Sequence, residues 1–509
     1  MLLNSKLMLA QAAVAFAAPR IQNQWAPCDI PGQTMPVVCG GYRVPLDYLA
    51  PNSSETIELR LYKVAATKQP SQGTILFNFG GPGLPGGPLL AESADQLLRY
   101  TGGSFDLVTL DPRGTTPYTL PISCFATPKD FKDWNSANTV WPWNSSDTTL
   151  GENWAITKLY ADICANNTNV TTSGGYIGTA YTARDYMSVA TVLDEDGLLR
   201  YWGTSYGAVL GATIAAMFPD RIDRMILDAV VNIHEYWHSQ DVETLTDADK
   251  AFSKFLEECF DAGEEKCALA RSNTTAAAFE EEFYSWLEDD LKYHPIAGPR
   301  FVMNYGVIKF LTRLALYTRN RLPTLAKLIS AAMKGEFAAD ADLTVFDNPY
   351  GGAEAHYAVY CADKTMRTDR IEDVMPFLEK MVQLSRIKGD VAEDVMICSQ
   401  WPVESKERYL GDYNVQTKHP LLIIGNTYDA VTPFVSAKNA SESFPGSALL
   451  EHGGFGHGSS AQTSVCTTKA IHDYFVSGKL PEPGTVCEPD LPFFDLDVKW
   501  SDVIPEDLS

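Results

Sequence analysis

Gly203-Thr204-Ser205-Tyr206-Gly207 is the segment that most narrows the folds open to this chain. A short strand-like run, 199–202, precedes it, and an Ala- and Gly-rich stretch, 208–218, follows. G-x-S-x-G between a strand and a helix describes a sharp turn. The turn strains the serine backbone and exposes its hydroxyl, and the flanking glycines remove side chains that would collide there.

The surrounding pattern supplies that context. Residues 56–64 alternate like a half-buried strand, and 74–79 form a short apolar run ending in glycines. A second run, 105–110, ends at Asp111-Pro112-Arg113-Gly114. Helical character follows over 183–193, then the strand at 199–202, the helix at 208–218 and a strand at 224–231. Apolar strands alternating with helices predict an α/β fold: a mainly parallel sheet with helices on both faces. From about residue 236 to 400 the texture changes to helical segments, among them 249–260, 275–291 and 307–333, with no strand-like run. A strand at 420–424 and a helix at 461–475 then resume the earlier pattern. With 509 residues the chain exceeds one simple domain. Its expected division is a signal peptide at 1–18, a first core part at 19–235, an inserted helical cap at 236–405, and a second core part with a disulfide-bearing tail at 406–509.

A serine hydroxyl is a weak nucleophile until a base takes its proton. In strand–turn–helix serine sites the partners follow in the order Ser, acid, His. Of the eight histidines, only His452, His457 and His472 lie late enough. His457 sits in Gly453-Gly454-Phe455-Gly456-His457-Gly458, a pliable loop able to aim an imidazole, and is the first choice. His452, which ends a strand-like run, is second, and His472 falls within a helix. The acid is Asp429, at the C-terminal end of the strand over 421–425, where the functional loops of open α/β sheets gather. It would fix the imidazole tautomer and stabilise the imidazolium. Oxyanion donors are expected from the N–H of Tyr206 and from Gly81 in the loop Gly80-Gly81-Pro82-Gly83.

Three features point to export. Lys6 precedes an apolar run over 7–18, and Ala15-Phe16-Ala17 suits cleavage of a signal peptide. That run is too short to span a bilayer, and no later stretch is long enough, so no membrane attachment is expected after its removal. The ten cysteines suit an oxidising compartment. Sequential pairing (Cys28–Cys39, Cys124–Cys164, Cys259–Cys267, Cys361–Cys398, Cys466–Cys487) closes the smallest loops. Asn52, Asn144, Asn166, Asn169, Asn273 and Asn439 each begin a glycosylation sequon. The net charge of −24 repels phosphate backbones, which argues against nucleic acid, and favours cationic ligands such as peptide amines. No CxxC pair occurs, and neither a metal nor a cofactor is expected.

Together, Asn78-Phe79-Gly80-Gly81-Pro82-Gly83, Asp111-Pro112-Arg113-Gly114, Tyr201-Trp202-Gly203-Thr204-Ser205-Tyr206-Gly207, Gly425-Asn426-Thr427-Tyr428-Asp429 and Gly456-His457-Gly458 resemble the secreted tripeptidyl aminopeptidase group of α/β-hydrolases, relatives of the proline iminopeptidases. The resemblance runs from about residue 40 to 490. It implies an exopeptidase that releases short peptides or residues from free N-termini under a helical cap whose acids hold the substrate amine. Asn232 stands where that group carries an acid. Glu235 and Asp228 are the candidates for the amine.

Other readings stay open. The same machinery suits an esterase or amidase acting on a small-molecule substrate, and the fold also serves as a binding module. His234-Glu235-Tyr236-Trp237-His238 matches the zinc-protease pattern H-E-x-x-H, which requires both imidazoles on one helical face. Gly81-Pro82-Gly83-Leu84-Pro85-Gly86 matches a dinucleotide fingerprint, but its prolines break the helix start that such a site needs. Arg113 is expected to pair with a carboxylate near the sheet edge.

Overall fold

The computed structural model describes residues 22–239, 241–299, 301–347, 351–506 and 508. The signal-peptide reading over 1–18 lies outside them. Twelve strands are present among the described residues: β1 (Gln22–Pro27), β2 (Val38–Pro45), β3 (Thr56–Val64), β4 (Thr74–Asn78), β5 (Asp106–Leu110), β6 (Leu199–Thr204), β7 (Ile222–Asp228), β8 (Ile296–Ala297), β9 (Val302–Met303), β10 (Leu422–Tyr428), β11 (Ala448–Phe455) and β12 (Val486–Cys487). Ten build one sheet in the order β1-β2-β3-β5-β4-β6-β7-β10-β11-β12, and β8 and β9 form a separate hairpin.

β1, β2 and β3 pair antiparallel, and β3 lies antiparallel against β5. Every pairing from β5 across to β12 is parallel. Strands in the parallel part are buried from both sides, which is why β4 and the start of β10 read as unbroken apolar runs. The helices Gly86–Tyr100 and Val465–Ser477 cover one face, with Leu90, Leu98, Tyr474 and Phe475 in its core. Thr179–Leu193 and Tyr206–Met217 cover the other, with Tyr186, Val189, Val209 and Ile214 inside. This arrangement, with β3 antiparallel to both neighbours and β5 lying between β3 and β4, is the α/β-hydrolase sheet.

Between β7 and β10 the described residues add no strand to the sheet. It forms a roof of helices, including Ala248–Ala262, Tyr305–Ala315, Leu322–Ala332, Ala353–Asp363 and Glu393–Ser399, with its own apolar core around Phe252, Phe283, Leu325 and Ile329. A second excursion, between β5 and β6, also contributes, with the helices Pro128–Ala137 and Thr149–Ala165, for which the sequence gives no clear signal. Glu354 joins the two excursions by accepting bonds from the N–H groups of Cys124 (2.7 Å) and Phe125 (3.2 Å).

The ten cysteines form five disulfides in chain order: Cys28–Cys39, Cys124–Cys164, Cys259–Cys267, Cys361–Cys398 and Cys466–Cys487. Asn52, Asn166, Asn169 and Asn273 are exposed, and Asn144 is half-buried. Asn439 differs, because its amide donates to both carboxylate oxygens of Glu243. No helix of the described residues is long and apolar enough to cross a membrane.

Arg113 is fully buried and meets Asp185 through Nε and Nη2, each at 2.7 Å. Its remaining donors reach the carbonyls of Leu46, Tyr176 and Pro45. The pair knits the loop after β2 to the helix Thr179–Leu193.

Candidate active site

Four parallel strands deliver the sequence candidates to one end of the sheet. β4 leads into the Gly80–Gly83 loop, β6 into Ser205, β7 ends at Asp228, and β10 leads into Asp429. Ser205 has φ 62° and ψ −123°, a left-handed backbone for a non-glycine residue, and the helix Tyr206–Met217 starts directly after it. Bonds from Ser205 N–H to the Asp228 carbonyl (3.0 Å) and from Ala208 N–H to the Ser205 carbonyl (2.8 Å) hold the strained turn. The glycines answer to crowding. A Cβ at Gly203 would stand 2.1 Å from the Gly207 carbonyl oxygen, and one at Gly207 would stand 2.2 Å from that of Asn78. At Gly80 it would meet the Thr204 oxygen at 2.7 Å and the Ser205 Cβ at 2.9 Å.

Asp429 is fully buried and accepts bonds through both oxygens. Oδ1 takes the N–H groups of Val431 (2.8 Å) and Thr432 (2.9 Å). Oδ2 takes the Thr432 hydroxyl (2.7 Å), Gly458 N–H (3.2 Å) and His457 Nδ1 (3.0 Å). Burial alone would raise this carboxyl, but the His457 charge and these bonds outweigh it and hold it below the ordinary range. The Asn426 amide donates to the carbonyls of Gly456 (2.9 Å) and Gly458 (2.8 Å), clamping the loop on both sides of His457. Tyr317 packs edge-on against the imidazole, with ring centroids 5.2 Å apart.

The runner-up histidines lie elsewhere. His452 is buried between the Thr467 hydroxyl and the Gln462 carbonyl, both at 2.9 Å, and burial pulls it down to about 4. His472 lies beside Asp473 and under Gly102.

Ser205, Tyr206, Gly81, Tyr317 and Thr432 line one cavity of about 320 Å³ beneath the roof. Tyr206 opens a helix, so its N–H is among those without an intrahelical acceptor and faces anions well. Thr432, in the same lining as Ser205, places its hydroxyl 3.1 Å from His457 Nδ1. The roof adds charged groups that sequence reading missed: Asp241, Arg313, His356, Lys364, Lys388 and Asp394. Lys364 is paired with Asp241, which also accepts the Tyr360 hydroxyl at 2.7 Å. Asp394 keeps 54% of its side chain exposed, 3.7 Å from His356 Nε2. The enclosing roof pushes its carboxyl up by desolvation, yet the nearby His356 and the charges of Arg313 and Lys364 bring it below its usual value.

Asp228 and Glu235, the amine candidates, are not in that lining. Asp228 is buried under the site and accepts the N–H (3.1 Å) and hydroxyl (2.6 Å) of Ser459, so it ties the nucleophile turn to the histidine loop. Glu235 accepts Glu243 N–H at 2.9 Å. Asn232 caps a short helix, Ile233–Tyr236, by accepting the N–H groups of His234 and Glu235. That helix ends before His238, so the two histidines of H-E-x-x-H do not share a helical face, and His234 Nε2 instead meets the Ser443 hydroxyl at 2.9 Å. The glycines at 81–86 form no dinucleotide cradle: a Cβ at Gly83 would stand 2.5 Å from His356 N, because this loop is pressed against the roof helix Ala353–Asp363.

Comparison with known proteins finds relatives along nearly the whole chain. The family model described as TAP-like protein matches residues 385–487, the part holding Asp429 and His457. A tripeptidyl aminopeptidase of Streptomyces lividans is 27% identical, with 94% of this chain and 89% of that protein aligned. The serine protease Hip1 of Mycobacterium tuberculosis is 25% identical, with 93% and 92% covered. An α/β-hydrolase fold protein from Chitinophaga pinensis superposes with a TM-score of 0.34 at 11% identity, covering 82% of this chain and 94% of that one. The chain is a serine hydrolase of the α/β-hydrolase fold, homologous over nearly its whole length to the tripeptidyl aminopeptidases.

Proposed function

We propose that this protein is a secreted exopeptidase that removes short peptides, tripeptides foremost, from free N-termini by acyl transfer on Ser205. The observation that carries the reading is the buried Asp429–His457 pair, held against Thr432, which lines the same roofed cavity as the strained Ser205 turn. In this reading Ser205 Oγ attacks the scissile carbonyl while His457 takes its proton through Nε2. The N–H groups of Gly81 and Tyr206 hold the oxyanion. His457 then gives its proton to the leaving amine, and water, activated by the same imidazole, releases the acyl group. Asp429 keeps the Nδ1 proton on His457 throughout. Asp394, ionised and open to the cavity, is the acid best placed to receive the substrate ammonium, in place of Asp228 and Glu235. Export is supported by the five disulfides, the apolar N-terminal run and the exposed sequons.

The experiment is a substrate panel: one peptide series with free and with acetylated N-termini, and simple aryl esters. Turnover confined to free N-termini supports the exopeptidase, and equal turnover of acetylated peptides refutes it. A second reading, an esterase or amidase for small molecules, draws on a second and largely apolar cavity of about 410 Å³ that shares Arg313 and Val391 with the first. Ester turnover without any peptide cleavage would select it.

A further inference from the structure

The three Lys and Arg side chains lining the catalytic cavity are not equivalent. Lys364 is committed to Asp241 and to the Tyr236 carbonyl, and it lies over the rings of Tyr236 and Tyr360. Arg313 and Lys388 have no carboxylate within ion-pair distance among the described residues. Arg313, on the helix Tyr305–Ala315, stacks its guanidinium 5.3 Å from the Phe310 ring and donates no hydrogen bond to the described chain. It forms part of the wall between the two cavities. Lys388 Nζ reaches only two backbone carbonyls, those of Thr244 and Ala430, each at 3.3 Å. Burial, then the Arg313 charge, lower this amine to about 8 while Asp429 and Asp394 work against them, so it remains mostly protonated at neutral pH.

The acids nearby do not complete them: Asp429 holds His457, Glu393 is bonded to Tyr357, and Asp394, open to the cavity, forms no ion pair with either cation among the described residues. Two cations whose donors lack anionic partners, in a cavity that also holds the nucleophile, are costly to keep unless a ligand completes them. Their sign is also opposite to the net charge of −24 carried by the whole chain.

We propose that Arg313 and Lys388 form a carboxylate-binding subsite that selects peptide substrates carrying an anion, with Arg313 supplying a planar fork and Lys388 a point charge. The anion is either the C-terminal carboxylate of a short peptide or an acidic side chain. The subsite rests on the peptidase reading and adds to it the feature of the substrate that the roof recognises.

The test compares kcat/KM for matched pairs of tetrapeptides with free N-termini. One pair ends in a carboxylate or an amide, and the others carry Glu or Gln at each position in turn. The wild-type protein is expected to favour the carboxylate member of at least one pair by roughly ten- to a hundredfold. Which pair responds identifies the source of the anion. Arg313→Gln and Lys388→Gln should each shrink the ratio, the double variant should bring it near one, and Arg313→Lys should restore only part of it. Labelling of Ser205 by a fluorophosphonate certifies that each variant is folded. Ratios near one in the wild-type protein, or a preference that survives the double variant, would overturn the subsite. If no peptide is cleaved, the exopeptidase reading fails and the subsite is decided separately. Protection of Ser205 from the fluorophosphonate by glutarate but not by glutaramide, lost in the double variant, supports it, and equal protection rejects it.

Discussion

Replacing Asp429 by Asn exchanges one carboxylate oxygen for an NH₂ group, and the hydrogen bonds around the side chain decide which one. Oδ1 takes two backbone N–H groups, Val431 and Thr432. An amide turned the other way would set its NH₂ against both, so the amide oxygen stays there. The NH₂ then occupies the place of Oδ2, facing His457 Nδ1 and Gly458 N–H. It can donate to Nδ1 only if the imidazole proton moves to Nε2. That tautomer cannot accept the Ser205 proton, the productive one would keep only the 3.3 Å contact of Nδ1 to the oxygen at Oδ1, and Gly458 N–H loses its acceptor. A tautomer fault of this kind lowers kcat by about 10⁴-fold, equivalent to ~5.5 kcal/mol of barrier. KM should change little, because the exchange leaves the cavity lining intact. The measurement is steady-state turnover at pH 7.5 of a free-N-terminus peptide, with the rate of fluorophosphonate labelling as a second readout. An Asp429→Asn protein within tenfold of the wild-type kcat would refute the assignment of Asp429 as the orienting acid.

Ser205→Ala should fold normally and lose several orders of magnitude in rate together with all fluorophosphonate labelling, and mass spectrometry of the labelled peptide locates the adduct. Ser459→Ala removes the hydroxyl bond to buried Asp228, a charge-assisted contact worth roughly 1.5–3 kcal/mol; the expected result is a lowered unfolding midpoint and slower turnover, and an unchanged midpoint counts against Asp228 as the tie. His452 is neutral in the fold, with its acid constant near 4, whereas in the unfolded chain it sits at its ordinary 6.5. Unfolding therefore takes up a proton between those values, so stability falls as pH drops from about 6.5 to 4, by up to about 3 kcal/mol from this group. His452→Gln should flatten that part of the acid unfolding profile. Arg113→Met strands the buried Asp185 carboxylate and should cost about 3–5 kcal/mol in chemical denaturation, with much of it recovered when Asp185→Leu is added; a single variant within 1 kcal/mol of the wild type refutes the cost of the unpaired charge.

The readability of the sequence tracks the range of the forces involved. The turn at 203–207 is legible because the crowding at Gly203 comes from Gly207, four residues on, and admits only glycine there. Asp429 and His457 are legible because each follows a strand, and chain order excludes most competitors. His452 and His457 are five residues apart, and only the packing around Thr467 and Gln462 separates a neutral buried imidazole from one beside the cavity. Asp241, Arg313, Lys364, Lys388 and Asp394 carry no local mark, since they reach the site through the packing of roof helices on one another. The helix at 149–165 escapes sequence reading because its apolar spacing is weak and its packing partner, Glu393–Ser399, lies more than two hundred residues away, and the helix at 128–137 buries no residue. Asn232 reads as a lost acid, whereas its position before Ile233 is that of a helix cap.

Gly83 has no room for a side chain because the roof helix Ala353–Asp363 lies directly on it, and Cys361–Cys398 fastens that helix to its neighbour. The loop that carries Gly81 is thus wedged between the nucleophile turn and the covering layer. Any swing of that layer would drag the loop with it and spoil its register against Ser205. On the exopeptidase reading, substrate therefore threads in through a fixed mouth, and the dimensions of that mouth, not the speed of a hinge, set which chain ends can be cut.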